Sequence, residues 1–218
     1  MKRTWMNTKE RILEAALVLF NDRGERNVTT NHIASHLGIS PGNLYYHFRN
    51  KSEIVFEIYQ EYERLVDQTL QVPKDHELTI EDKAHYLEAI FEGMWVFRFL
   101  HRDLAYFLES DERLRDRYAE FSRRCLENVG AIYQGLRKAD LIAITDEEIT
   151  ALAINSWLVA TSWATYLRTA VYDSNLEDQI TRDRLRKGIY QVFALERPYL
   201  KEHIKDEVER VQLSFLEQ

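Results

Sequence analysis

Chain-breaking residues are scarce: seven glycines and three prolines occur in 218 residues, less than half of the ~12% that globular chains usually carry. That shortage leaves room for long helices and little for a turn-rich sandwich or barrel, so the expected fold class is all-α. A hydrophobic share of 45% with 12% aromatics excludes a disordered chain, which lacks the apolar surface to offset the entropy of folding. The length suits one small and one larger domain. A single cysteine, Cys125, allows neither an intrachain disulfide nor a four-cysteine zinc site, which suits a reducing compartment. Met1-Lys2-Arg3-Thr4-Trp5 leads into no apolar secretory core, so a cytoplasmic location is expected. Ile149 to Leu167 holds 19 residues without a charge, close to a bilayer span. Six of them are polar (Thr150, Asn155, Ser156, Thr161, Ser162, Thr165), which favours a helix buried on several sides within protein over a membrane segment.

Charge is unevenly distributed. Residues 1–51 carry eight Lys/Arg against four Asp/Glu, a balance of +4, while the remainder carries −11 within the net −7. A basic head on an acidic body suits a polyanionic partner that only the head attracts. In that head, Asn7 and Glu10 form an N-cap signature, and Ile12, Ala16, Leu19 and Phe20 repeat with helical period until Gly24. A second, short helix follows Thr29-Thr30 with Ile33, Ala34 and Leu37 inward, and stops at Gly38. Only Gly38, Ile39 and Ser40 separate Leu37 from Pro41, a turn of the length that joins the helices of a helix-turn-helix. Gly38 suits the left-handed closing position, Ser40 the next N-cap, Pro41 the first helical position, and Ile39 with Leu44 a hydrophobic staple. The third helix then buries Leu44 and Phe48, leaving Gly42, Asn43, Tyr45, Tyr46 and His47 on a face suited to a major groove. Lys51 opens the next helix, placed to meet a phosphate. Each of these groups also has a plainer reading: Tyr45 or Tyr46 as packing residues, His47 as a helix-terminal cation, Lys51 as a solvated surface charge.

The run from Thr29 to Lys51, and above all Gly42-Asn43-Leu44-Tyr45-Tyr46-His47-Phe48, resembles the DNA-binding segment of the tetracycline-repressor (TetR) family of bacterial regulators. The resemblance covers residues 7 to 60. It implies that Thr30, Ser40, Pro41, Gly42, Tyr45, Tyr46, His47 and Lys51 stand where family members touch DNA, although Pro41 offers no side-chain donor. The expected organisation is a helix-turn-helix DNA-binding domain over residues 1–52 and a helical effector-binding and dimerisation domain over 53–218. The expected function is that of a ligand-responsive regulator, most simply a repressor, bound as a homodimer to a palindromic operator on double-stranded DNA and released by a small-molecule effector. The alternative is a helical ligand carrier or protein-interaction module whose head no longer serves DNA.

In the body, a fourth helix runs to Thr69, a fifth from near Ile80 to Leu100 and a sixth near Leu104 to Leu108. A seventh places Leu114, Tyr118, Phe121, Cys125, Val129, Ile132 and Leu136 on one stripe. An eighth opens with the capping box Thr145/Glu148 and runs to about Tyr172. Ala153, Ala160 and Ala164 make a small-residue seam on it, and a ninth carries Leu185, Ile189 and Val192. This pair is expected to form a twofold four-helix bundle with a second copy, as the resemblance also implies. After Pro198, Leu200, Ile204, Val208, Val211 and Phe215 form one more stripe, a helix over 199–216 that docks on its own body or lengthens the dimer contact. The aromatic surplus reads either as plain core or as an apolar effector cavity. Trp95, Phe99, Phe121, Cys125, Trp157 and Tyr166 are the candidates, with Asn155 and Ser156 as polar partners. No metal, cofactor or catalytic role is expected. His32 and His36 lack a third ligand, His101-Arg102-Asp103 has no phosphate loop or D-F-G beside it, and no nucleophile elbow occurs.

Overall fold

The computed structural model describes residues 7–175 and 178–216; Lys2 and Arg3 of the basic head lie outside them. The described chain is built of α-helices in the order α1 (Thr8–Arg23), α2 (Thr30–Leu37), α3 (Pro41–His47), α4 (Lys51–Thr69), α5 (Ile80–Val96), α6 (Arg98–Ser110), α7 (Glu112–Lys138), α8 (Asp146–Thr169), α9 (Arg182–Arg186), α10 (Gly188–Glu196) and α11 (Lys205–Leu213). No helix among the described residues is long and apolar enough to cross a membrane. The backbone divides into two compact units, one of residues up to 64 with 97–115, the other of 65–96 with 116 onward. This differs from the boundary expected at residue 52, because α6 and the first turn of α7 pack with the head and most of α4 belongs there too.

In the first unit, Asn7 accepts from the Glu10 N–H while Glu10 accepts from the Asn7 N–H, both at 2.9 Å. Ile12, Ala16 and Phe20 of α1 are fully buried with Ile33 of α2, Leu44 of α3, Ile54 of α4 and Phe99 of α6. The fifth helix ends earlier than its periodicity suggests. Phe97, at φ −105° and ψ 30°, breaks it, and the chain restarts as α6 against the C-terminal end of α1. Two reciprocal caps hold that joint. The Phe99 N–H donates to Asn21 Oδ1 at 3.1 Å, and Arg102 Nη2 donates to the carbonyls of Phe20 and Asn21 at 2.8 and 3.3 Å. Each cap satisfies a terminal backbone group that its own helix leaves without a partner.

His101 lies beside the Tyr62 ring, centroids 5.1 Å apart, with Nε2 buried and without a hydrogen-bond partner among the described residues. Burial pulls this imidazole down to about 4. The unfolded chain takes up a proton near 6.5 and the folded one only near 4. The histidine's contribution is therefore whole above about pH 6.5 and is lost as pH falls towards 4. Urea unfolding at pH 7.5 and pH 5 is expected to show a loss of about 2 kcal/mol from this residue. In His101→Leu that increment should vanish; an equal acid loss in both proteins would assign it elsewhere.

In the second unit, α8 and α10 make the most extensive helix pair. Ala153 and Ala164 are buried, and Ala160 packs on the core that holds Ala164, so the small-residue seam faces inward in the chain. The expected ninth helix is broken at Lys187 into α9 and α10. Gly188 sits at that break where any Cβ would overlap the Phe91 ring, which is why α10 approaches α5 so closely. The C-terminal helix docks on its own body: Phe215 stacks on Phe193 with centroids 6.0 Å apart, and Gln212 Nε2 donates to the Tyr190 carbonyl at 3.0 Å.

The same unit buries a polar chain. Lys83 of α5 forms an ion pair with Glu196 of α10. The Tyr133 hydroxyl of α7 donates to Glu196 Oε1 at 2.7 Å and lies 2.7 Å from the Ser156 hydroxyl of α8. All but a few per cent of these side chains are out of solvent. Lys83 Nζ also lies 4.0 Å from the Phe193 ring centroid. Burial pulls the Lys83 amine well below its ordinary value, and the facing carboxylate opposes that pull. Burial likewise pushes the Tyr133 phenol up, so it stays protonated and donates.

Candidate nucleic-acid interface

The turn between α2 and α3 is closed as its sequence suggests. Thr29 caps α2, accepting from the His32 N–H at 3.3 Å, while His32 Nδ1 accepts from the Thr29 N–H at 3.3 Å. His32 thus completes a capping box, and no cluster of three or more potential metal ligands occurs among the described residues. Gly38 takes φ 66° and ψ 30°, the left-handed conformation, and the Ile39 N–H returns to the Ala34 carbonyl at 3.0 Å. Ser40 Oγ accepts from the Asn43 N–H at 3.2 Å, with Pro41 in the first turn of α3.

Helix α3 is sharply two-faced. Leu44 is 0% exposed and Tyr46 is 86% exposed. Pro41, Gly42, Asn43 and Tyr45 lie on the exposed side with Tyr46, and His47 is half-buried. The Tyr46 and His47 rings meet edge to face at 5.1 Å. Thr30 Oγ1 and the Tyr45 hydroxyl are 2.9 Å apart, so the start of α2 and the middle of α3 share one hydrogen bond. Eight of the nine expected DNA-facing residues, Thr30, Ser40, Pro41, Gly42, Asn43, Tyr45, Tyr46 and His47, therefore lie together on or beside the outer side of the α2–α3 pair.

Lys51 is placed otherwise. Its ammonium donates to the carbonyls of Glu25 and Val28 at 2.9 and 3.0 Å and pairs with Glu25 Oε1 at 2.8 Å. Three partners use its three donors. Sequence spacing placed Lys51 at a helix start but could not reveal that Glu25, three residues before Val28, is a buried acid in need of a cation. Withdrawing a cation from a buried carboxylate costs about 3 to 5 kcal/mol, less here because the lysine side chain keeps 28% exposure.

The expected effector-binding residues do not form one group. Phe99 belongs to the first unit, between Phe20 and Phe107 at 5.2 and 5.8 Å. Its place on an apolar stripe reflects core packing there. Phe121, buried, meets Trp157 at 6.1 Å beside Tyr118, and Cys125 is buried on the same face of α7. Trp95 packs on the separate cluster around Phe91 and Met94. Asn155 is exposed, and Tyr166, 42% exposed, stacks on Trp163 at 4.9 Å. Ser156 is bonded to Tyr133, as described above. On α8 the period of 3.6 separates neighbours such as Asn155 and Ser156 onto different faces, and composition alone did not assign those faces.

A short two-faced recognition helix fastened to a capped partner by a three-residue turn defines a helix-turn-helix DNA-binding regulator. Two family models match the chain: bacterial regulatory proteins of the tetR family over residues 12–58, and the TetR bacterial transcriptional repressor over 61–208. The chain belongs to the TetR family. A TetR-family transcriptional regulator from Marinobacter aquaeolei VT8 is 48% identical, covers 96% of this chain and 99% of its own, and superposes with a TM-score of 0.88. A putative transcriptional regulator from Saccharomonospora viridis, solved in complex with choline, is 19% identical with a TM-score of 0.68 over 89% and 98% of the two chains, a likeness of fold. An HTH-type transcriptional regulator of Staphylococcus aureus is 35% identical over 77 residues, 35% of this chain and 42% of that protein. The match thus spans less than half the length of that curated relative.

Proposed function

We propose that this regulator is a repressor that binds a palindromic operator as a homodimer and lets go when a small molecule occupies its larger unit. The observation that carries the DNA-reading part is the exposed side of α3, where Gly42, Asn43, Tyr45, Tyr46 and His47 stand opposite the fully buried Leu44. Thr30, Ser40 and Pro41 flank that side and complete the proposed surface. Dimerisation is supported by α8. Its outward side presents Ile154, Leu158, Ser162, Thr165 and Tyr166 to solvent within a stretch that holds no charge, a surface that suits a second copy of the chain. For the effector, the Tyr118–Phe121–Trp157 group with Cys125 offers an aromatic lining for a mostly apolar molecule, and the relative solved with choline carries a small molecule in the same fold. Release requires that the effector favour one shape of the protein over the other, with a coupling of about 1 to 3 kcal/mol.

Selection of bound duplexes from a random pool tests this reading. The expected product is a palindrome with half-sites centred about 10 base pairs apart or a multiple of that. Recovery of no enriched duplex, even at low salt, would leave the head without its reader role.

Gly42→Ala gives a finer check. A Cβ there meets nothing closer than Ser40 Oγ at 3.9 Å, so folding stability should hold or rise by up to about 1 kcal/mol. Affinity for the selected duplex should nevertheless fall about tenfold or more, because the added methyl stands where the helix approaches the groove. Unchanged affinity would remove Gly42 from the contact surface.

A further inference from the structure

Residues 70–79 connect α4 to α5, and Leu78, Tyr86 and His76 fasten them within the larger unit. Leu78 is buried against Gly135 of α7, where any Cβ would overlap it. The Tyr86 hydroxyl of α5 donates to the Gln71 carbonyl at 2.7 Å. The His76 ring stands between two carboxylates: Nδ1 lies 3.0 Å from Asp75 Oδ1, and Nε2 lies 3.0 Å from Asp82 Oδ2. Asp82 Oδ2 also accepts from the Thr79 N–H at 3.0 Å and from the Thr79 hydroxyl at 2.9 Å, while the Asp82 N–H donates to Thr79 Oγ1 at 3.1 Å. From the middle of the loop, the histidine thus reaches the reciprocal cap that opens α5.

An ionised carboxylate accepts and does not donate, so each ring nitrogen needs its own proton to bond the oxygen it faces. Imidazolium supplies two N–H groups. Neutral imidazole supplies one and turns a lone pair on the other carboxylate. Both contacts together therefore require the charged ring. In agreement, the hydrogen bonds to Asp75 and then to Asp82 hold the His76 pKa above its ordinary value. Tyr86, one turn along α5, also faces Asp82; burial and then that carboxylate push its phenol up, so it stays neutral where the histidine titrates. When the ring loses a proton, one contact must go. Asp75 is the neighbouring residue and stays beside the ring however the loop moves, whereas Asp82 keeps both donors of Thr79 and can part from it.

We propose that His76 is a proton-operated latch on the α4–α5 connection: as imidazolium it ties Asp75 to Asp82 and holds the loop on the start of α5, and as neutral imidazole it lets α5 go. The unfolded chain gives up this proton near 6.5 and the folded loop only at higher pH. The latch is therefore whole below about pH 6.5 and opens as pH rises through the folded value. Leu78 and the Tyr86 hydroxyl keep their contacts, so the loop loosens locally without unfolding of the unit.

Two measurements on the full chain test the latch. The first follows the His76 ring by NMR from about pH 5 to about pH 9; the wild-type midpoint should lie above 6.5. It should fall in Asp75→Asn and in Asp82→Asn, each of which exchanges one carboxylate for a neutral amide of the same shape. A wild-type midpoint at or below about 6.5 overturns the proposal, as does one that Asp82→Asn leaves unmoved. The second is amide hydrogen exchange at Thr79, whose N–H donates to Asp82, expressed as protection so that the intrinsic effect of pH cancels. Protection should fall about tenfold between about pH 6 and about pH 8.5 in the wild type. In His76→Gln it should stay constant, because that side chain does not titrate. His76 is 47% exposed, so this variant keeps its fold. An equal fall in His76→Gln would assign the change to another group and overturn the latch.

Discussion

Replacing Lys83 with alanine is expected to destabilise the protein by about 3 to 5 kcal/mol, because it leaves the Glu196 carboxylate buried without its cation. Glu196 is 1% exposed. Tyr133 alone would then donate to it, and one neutral hydrogen bond does not replace an ammonium at the same depth. For a chain of this size the midpoint of thermal unfolding should drop by about 10 °C or more. The fate of the pair as a whole differs. Lys83→Met combined with Glu196→Leu removes both charges and fills the space with apolar side chains, and such exchanges are commonly neutral or stabilising. Tyr133 keeps Ser156 as a partner at 2.7 Å, so the double variant leaves that hydroxyl bonded. A double-mutant cycle followed by circular dichroism should show a large favourable coupling between the two sites. A loss under about 1 kcal/mol in Lys83→Ala would mean that water reaches Glu196 and that the network is not dry. The network joins α5, α7, α8 and α10, so its main effect is to fix the register of four helices that apolar packing alone would hold less uniquely.

The sequence carried the head well because each signal there is local. Gly38, Ser40 and Pro41 act within one turn of their own position, and their geometry is decided by backbone dihedrals and caps rather than by distant contacts. The same holds for Thr145 and Glu148 at the start of α8. What the sequence did not show depends on distant partners. The end of α5 at Val96 follows from the capping of α6 by Asn21, 78 residues away in sequence. Phe99 shares the periodicity of an effector-pocket aromatic, and only tertiary packing assigns it to Phe20 and Phe107. Lys51 has the position of a phosphate ligand and the partners of a core residue. One long-range pairing does leave a local signal. Lys83 lies on the apolar stripe with Ile80, Leu87 and Phe91, and Glu196 lies on the stripe with Ile189, Val192 and Phe193. Opposite charges on two buried faces are costly unless they meet, so the pairing was open to inference.

Leu158→Arg is expected to turn a dimer into a monomer while leaving the chain folded. In the single chain Leu158 is 53% exposed, and Ile154 and Tyr166 on the same side are 44% and 42% exposed. About half of Leu158 faces solvent and an arginine can extend outward from that position, so the thermal unfolding of the isolated chain should move little. Against a second copy the outcome reverses. In the proposed twofold contact an arginine on this side is buried against the second copy, and a charge deprived of water without a partner opposes association by several kcal/mol. Sedimentation at micromolar concentration should therefore give a single species near the 26.0 kDa chain mass, where the proposed wild-type dimer is expected to give twice that. DNA binding should follow. Two recognition helices on one body engage a palindrome with the second contact made at high effective concentration, an advantage of about 100-fold or more that a monomer forfeits. Affinity for the palindrome should fall by at least that factor in Leu158→Arg, while affinity for a single half-site stays within about twofold of the wild type, since α3 lies far along the sequence and keeps its own contacts. A variant that remained dimeric would exclude the outward side of α8 from the contact. A monomer that kept full palindrome affinity would show that the two half-sites are read independently.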